Sequence, residues 1–236
     1  MIVMKVLILA AGKGVRMQPL TYEVPKPLIM VNGQPFLYYI IKNLKEAGLD
    51  EIGIVVGYKE HMIEAWLRDN KINAYLIRQK KRLGTGHAIK LAKEWVNGEN
   101  FIVVMGDDLY SPNDIKAIAN DDEFCYVAGL EHEHPERFGV LVCDGDFLKE
   151  IEEKPEKPKS NLINAALYKF TPEIFAAIEK TPKNPKRGEY EITDAISLLC
   201  KQKKVKITKI HDYWVDMGRL EDLPKVKEFI EKHFSN

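Results

Sequence analysis

Four stretches of the chain carry side chains suited to handling phosphate. In LAAGKGVRMQPLT, residues 9–21, the small residues Ala10, Ala11, Gly12 and Gly14 let a backbone approach a ligand closely. Their N–H groups can form an anion-binding nest. Lys13 and Arg16 add positive charge, and Arg16 has the planar fork that matches phosphate oxygens. Lys26 stands between Pro25 and Pro27, so it is aimed by a stiff backbone. Gly106-Asp107-Asp108 closes an apolar run, where carboxylates are well placed to hold Mg²⁺ beside phosphate oxygens. Asp216, in YWVDMG, follows another short apolar stretch. Each feature alone has a plainer reading. The glycine loop serves equally as a tight turn with solvated lysines, and a single strand-end aspartate is usually a turn residue or cap.

The glycine loop is neither of two familiar phosphate loops. A dinucleotide fingerprint needs a third glycine where Met17 stands, and a P-loop needs Gly-Lys-Ser/Thr. Gln79 followed by Leu83-Gly84-Thr85-Gly86-His87-Ala88 is a further candidate. A side-chain amide offers one donor and one acceptor, which suits a pyrimidine edge, and Gly84 leaves room for a flat base. A helix cap at Thr85 is the alternative reading of the same residues. His132 and His134 alternate before Pro135, but no further ligand cluster lies nearby in sequence, so they read as a loop.

The elements that must position these residues alternate along the first half. Met4–Ala10 is a continuous apolar run, a strand buried on both faces. The spacing of Leu37, Ile40, Ile41 and Leu44 predicts a helix over 35–47, with Pro35 in its first turn and Gly48 at its stop. Strands over 51–57, 72–78 and 100–105 alternate with helices over 60–68 and 86–96. Ser111-Pro112 opens the next helix. From about residue 121 the rhythm changes: four strands over 124–130, 138–143, 147–152 and 163–170, then helices over 172–180 and 190–201. A strand over 205–210, a short extended WVD and a helix over 220–233 complete the pattern. The expected fold is α/β, a Rossmann-like doubly wound mixed sheet with a smaller antiparallel part. Residues 1–236 are expected to form one domain, with a nucleotide-binding half over about 1–120 and a second half over about 121–236.

The motif L-A-A-G-K-G-V-R-M-x-P-L-T, followed by P-K-P-L, resembles the signature of the sugar-1-phosphate nucleotidyltransferases. It is most similar to the glucose-1-phosphate uridylyl- and thymidylyltransferases, and further matches extend over nearly the whole chain. The resemblance implies transfer of UMP or dTMP from UTP or dTTP to a sugar 1-phosphate, with pyrophosphate released. It implies that Leu9, Ala11, Gly12 and Gly14 lie along the nucleotide, and that Lys13 and Arg16 hold its outer phosphates. Lys26 would bridge to the reacting phosphate, while Gln79, Gly84 and Thr85 would serve the base. Asp107 and Asp216 are implied as ligands of Mg²⁺. The E-K-P segment places Glu153 on sugar hydroxyls and Lys154 on the sugar phosphate. Gly139, Asn164 and Tyr168 fall at sugar-side positions. R-G-E-x-E-I-T-D places Arg187 as a second clamp on that phosphate; read alone, the same segment is a solvated charged face. G-T-G-H-A is closer to uridylyltransferase wording, and a sugar other than glucose (N-acetylglucosamine, mannose) is the alternative. A non-catalytic sensor would tend to lose these lysines and carboxylates, and all are present.

Composition bounds the partners. Lysines plus arginines equal aspartates plus glutamates, 35 each, which gives no bulk-charge argument for nucleic acid or a membrane surface. No apolar run reaches membrane-spanning length. The cysteines Cys125, Cys143 and Cys200 lie far apart without paired spacing, and the chain opens on a strand, so a cytoplasmic protein is expected. No hexapeptide β-helix pattern appears at the end, so an attached acetyltransferase is not expected. These residues do not read out an oligomeric state.

Overall fold

A computed structural model of the chain describes residues 4–185 and 187–234. One sheet of nine strands runs through both halves of the described chain. In chain order they are β1 (Lys5–Ala10), β2 (Ile52–Val56), β3 (Tyr75–Arg78), β4 (Phe101–Met105) and β5 (Cys125–Glu131). Then follow β6 (Gly139–Asp144), β7 (Phe147–Glu153), β8 (Leu162–Phe170) and β9 (Val205–Lys209). Their order across the sheet is β3-β2-β1-β4-β8-β5-β9-β7-β6, and β6 folds back to pair with β8 as well.

The first four strands are parallel. From β1 the chain winds outward to β2 and β3, then returns to the other side of β1 as β4. The carboxyl ends of β1 and β4 therefore flank a topological switch point, where open α/β sheets form their ligand crevice. The apolar run of β1 fits this central place because successive side chains enter different cores. Val6, Ile8 and Ala10 join one face, packed under the helices Phe36–Glu46, Glu60–Asp69, Pro112–Ile118 and Leu223–Phe234. Leu7 joins the other, beneath Thr85–Lys90, Lys93–Val96, Glu173–Lys180 and Ile192–Cys200.

Several expectations need adjustment. The helix over 86–96 is two short helices bent around Ala92, whose N–H reaches back to Ile89 O in a tighter turn. The ring of Trp95 packs directly on Gly53, at a spot where any Cβ would clash, and this contact outweighs the helical propensity of the run. Gly84, not Thr85, stands at the helix cap; Thr85 Oγ1 instead accepts from Ile192 N–H at 3.0 Å. Pro35 is the residue before the helix rather than inside its first turn. The sheet is mixed as expected: β7 and β8 pair antiparallel with β6, β8 also with β4 and β5, and β9 runs parallel to β5. Ser111 caps its helix as expected, accepting from Asp114 N–H.

Candidate active site

The glycine loop leaves β1, and Gly106-Asp107 leaves β4, its neighbour in the sheet. Gly106 N–H donates to Leu9 O at 2.9 Å, which fixes the two loops side by side. Gly14 adopts φ +62°, and a Cβ there would meet Thr21 and Lys26 at 2.9 and 3.1 Å, so glycine is required. Thr21 Oγ1 closes the turn by donating to Gly14 O. This folds the chain back and lays Lys26 into the crevice, 7 % exposed. Its ammonium lies 2.5 Å from Asp107 Oδ2 and 3.3 Å from Gly218 O.

Asp216 arrives from far along the chain. Trp214–Asp216 pairs antiparallel with Asp108–Tyr110, and Asp216 sits opposite Asp108. Three carboxylates, Asp107, Asp108 and Asp216, thus gather around one ammonium. Burial, with the charges of Asp107 and Asp216 second, pushes the Asp108 carboxyl well above the usual range. It lies 3.3 Å from the hydroxyl of Tyr110, on the inner side of the cluster. Burial, with Asp107 second, raises the Asp216 carboxyl to about 6. Among the described residues no ready cage of three or more ligands for a metal exists. Two ionisable carboxylates facing a polar cavity are an incomplete set of hard oxygen donors. That donor set fits Mg²⁺, which usually takes one or two carboxylates and completes its shell with phosphate oxygens and water.

Two cavities meet here. One, of about 430 Å³, is lined by Leu9, Gly12, Gly14, Lys26 and Thr85 among others. The second, of about 910 Å³, is lined by Gly139, Glu153, Lys154, Asn164, Arg187 and Asp216 among others. Arg16 and Asp107 line both, so the cavities join at these two residues.

The wall of the larger cavity rests on unusual backbone. Lys154 and Ala166 hold left-handed φ values of 47° and 57°. Such residues cost on the order of 1–3 kcal/mol and persist where the surroundings impose them. Lys154 N–H donates to Phe138 O, and Asn164 Oδ1 accepts from Ala166 N–H across a register shift in β8. Asn164 Nδ2 donates to the hydroxyl of Tyr168. Gly139 leaves room beside Glu153, since a Cβ there would meet Ile151 at 3.2 Å and Glu153 Oε2 at 3.4 Å. Arg187 donates to Glu153 Oε1 at 3.0 Å and to Glu191 Oε1 at 3.1 Å. Burial opposes the Arg187 charge, but these two carboxylates outweigh it and hold the guanidinium more firmly protonated.

The structure brings Leu9, Gly12, Gly14, Arg16, Lys26, Thr85, Asp107, Gly139, Glu153, Lys154, Asn164, Arg187 and Asp216 to the joined cavities. Lys13 is exposed and lines neither, and Ala11 is buried behind the loop, where its carbonyl accepts from Tyr58 N–H. Tyr168 is 2 % exposed and reaches the cavity only through Asn164. Gln79 and Gly84 line neither cavity; they are bonded to each other, and Gly84 precedes Thr85 of the smaller cavity. Sequence reasoning missed His132, Arg137 and Arg219, which also line the larger cavity. The loop reading of His132 overlooked its place after β5: its ring packs on Phe138, which meets Trp214 edge-on. Arg137 directly precedes Phe138-Gly139, which was the available signal.

A family model for nucleotidyl transferases matches residues 5–233. The chain belongs to this nucleotidyl transferase family. It is 42 % identical over 229 residues to the bifunctional protein GlmU of Methanocaldococcus jannaschii, covering 96 % of this chain and 54 % of that one. It spans about half the length of the GlmU proteins it matches. It is 32 % identical over 239 residues to the UTP–glucose-1-phosphate uridylyltransferase AglF of Haloferax volcanii, covering 97 % of both chains. Among solved structures, a UDP-glucose pyrophosphorylase in complex with UDP-glucose superposes with a TM-score of 0.87 at 27 % identity, covering 98 % of this chain and 99 % of that one. The chain shares the mixed α/β, Rossmann-like fold of these nucleotidyltransferases. No helix among the described residues is long and apolar enough to cross a membrane.

Proposed function

We propose that this transferase joins UTP or dTTP to a hexose 1-phosphate, glucose 1-phosphate first, giving an NDP-sugar and pyrophosphate. The observation that carries the reading is the pair of cavities joined at Arg16 and Asp107, with Lys26 of the smaller cavity paired to that Asp107. The acceptor's phosphate oxygen is already ionised at neutral pH, so no general base is needed. The barrier lies in bringing two polyanions together. Positioning and electrostatics are the levers for that.

The acceptor oxygen forms a bond to the α-phosphorus while the bond to the bridging oxygen breaks opposite, and pyrophosphate leaves with that electron pair. Lys26, paired with Asp107 at the joint, offsets charge developing at the α-phosphorus. Arg16, at the junction, steadies the nucleotide's outer phosphates. Lys154 and Arg187 orient the acceptor phosphate, and Glu153 accepts from sugar hydroxyls. Asp107 and Asp216 are the residues to hold Mg²⁺, which when bound supplies charge neutralisation at the phosphates.

A GlmU-like reading, with N-acetylglucosamine 1-phosphate as acceptor, rests on the 42 % identity to that relative and stands about equal. The test is a panel of UTP, dTTP and CTP against glucose, N-acetylglucosamine and mannose 1-phosphates, with pyrophosphate release measured in Mg²⁺. Release with a uracil or thymine nucleotide and one hexose phosphate is the expected result. No release with any pair refutes the proposal.

A further inference from the structure

Gln79 follows β3 and is only 6 % exposed. Its amide nitrogen lies 3.1 Å from Gly84 O and 3.0 Å from His87 Nδ1. A carbonyl oxygen can only accept, so chemistry alone requires the NH₂ group of Gln79 on that side. One hydrogen goes to Gly84 O and the other to His87 Nδ1. The His87 ring nitrogen facing Gln79 must then be the bare one, with its proton on Nε2. Burial, with the charge of Lys90 second, lowers the His87 pKa and keeps the ring neutral.

The anchors themselves are fixed. Gly84 holds φ +98° with its Cα against Tyr190, where a Cβ would lie 2.5 Å from the carbonyl oxygen. Tyr190 N–H donates to Leu83 O at 2.7 Å and Gly86 N–H to Tyr190 O at 2.8 Å. The amide is thus clamped from two directions. Its oxygen, Oε1, takes no hydrogen bond from the described protein and is not sealed from solvent.

We propose that His87 is a positioning residue which, together with Gly84 O, turns Gln79 so that it offers the nucleotide an acceptor and no donor. A base with a ring N–H, such as uracil or thymine, is satisfied by that oxygen. Cytosine presents a bare ring nitrogen at the same place and meets a lone pair with a lone pair. The inference rests on the base-side reading of Gln79 in the proposed function and adds the residue that sets its sign. Bare backbone and a free glutamine would not discriminate in this way, because an amide able to flip serves either base.

The experiment is the ratio of kcat/KM for UTP to that for CTP, in the wild type and three variants at His87. His87→Asn can turn its own oxygen to Gln79 and should keep the ratio within about threefold. His87→Lys replaces the acceptor with a donor and should lower the ratio at least about tenfold, through KM for the nucleotide. His87→Leu, suited to a surrounding that includes Leu83, Leu91 and Ile178, covers the case in which the lysine variant does not fold. It should lower the ratio about fivefold, the worth of one neutral hydrogen bond. A merely structural His87 would change rates with both nucleotides alike. A wild-type preference for UTP that survives both His87→Lys and His87→Leu overturns the inference alone, as does an asparagine variant no better than the leucine one. A wild type that accepts CTP as readily as UTP overturns the base-side reading and the inference with it.

Discussion

Replacing Asp216 with asparagine should strengthen the fold while removing the proposed activity. Burial and the neighbouring Asp107 lift the Asp216 carboxyl from 3.8 to about 6. A raised folded-state pKa means that the folded chain holds this proton more tightly than the unfolded chain. The resulting stability is fully present below the unfolded value and is lost as pH rises through about 6. A shift of about two units amounts to about 3 kcal/mol, and partial exposure of the side chain trims that to about 2 kcal/mol. Asparagine keeps the shape and has nothing to ionise, so it escapes the loss. Urea unfolding in the presence of a chelator is the assay. Wild type and variant should agree within error at about pH 3.5, below the unfolded pKa, and separate through the range between the two pKa values. By about pH 8 the variant should lead by about 2 kcal/mol, or about 4–8 °C in Tm for a chain of this size. Added Mg²⁺ should close the gap by stabilising the wild type, since a ligand bound only to the folded state adds about 2.7 kcal/mol at a hundredfold excess over Kd. Pyrophosphate release should fall at least about a hundredfold in the variant. Equal stabilities at about pH 8, or wild-type turnover by the variant, would show that Asp216 is neither strained by its neighbours nor part of the reacting centre.

Two further outcomes follow from single side chains. Lys26→Met removes the ammonium beside Asp107 and should lower kcat about 10²- to 10³-fold in the pyrophosphate assay while far-ultraviolet circular dichroism stays native; near-normal turnover would remove Lys26 from the mechanism. Lys169→Leu deletes a fully buried ammonium that donates to Asp122 O, Asp122 Oδ1 and Phe124 O. Denaturant unfolding should show a loss of about 3–5 kcal/mol because the acceptors are left behind, with KM values for surviving enzyme unchanged.

Much of the frame was legible in the sequence because local signals and the sheet agree. The KVLILA run of β1 is apolar at consecutive positions because both of its faces are covered, and that pattern leaves little choice but a central strand. Ser111-Pro112 marks a helix start by chemistry that needs no tertiary partner. The break near Ala92 had no such signal. It depends on Trp95 finding Gly53 on another strand, and no spacing within residues 86–96 records that contact.

The same division runs through the site. Residue types chosen for phosphate chemistry were visible one by one, but their pairing depends on strand order. Lys26 meets Asp107 because the loops after β1 and β4 are neighbours, and Asp216 meets Asp108 because a short antiparallel pair carries it there. Arg187 bridges Glu153 and Glu191 because the segment at 190–192 is tied to Leu83, Thr85 and Gly86 by backbone and threonine hydrogen bonds. These pairings carry a consequence for selectivity. A phosphate reaching Arg187 must compete with two carboxylates already in place, and one reaching Lys26 must compete with Asp107. A neutral sugar cannot displace either partner, and a singly charged acid gains too little from the exchange. On the proposed reading a sugar phosphate would gain twice over, because its phosphate would replace Glu153 at the guanidinium while its hydroxyls would give the freed Glu153 new donors.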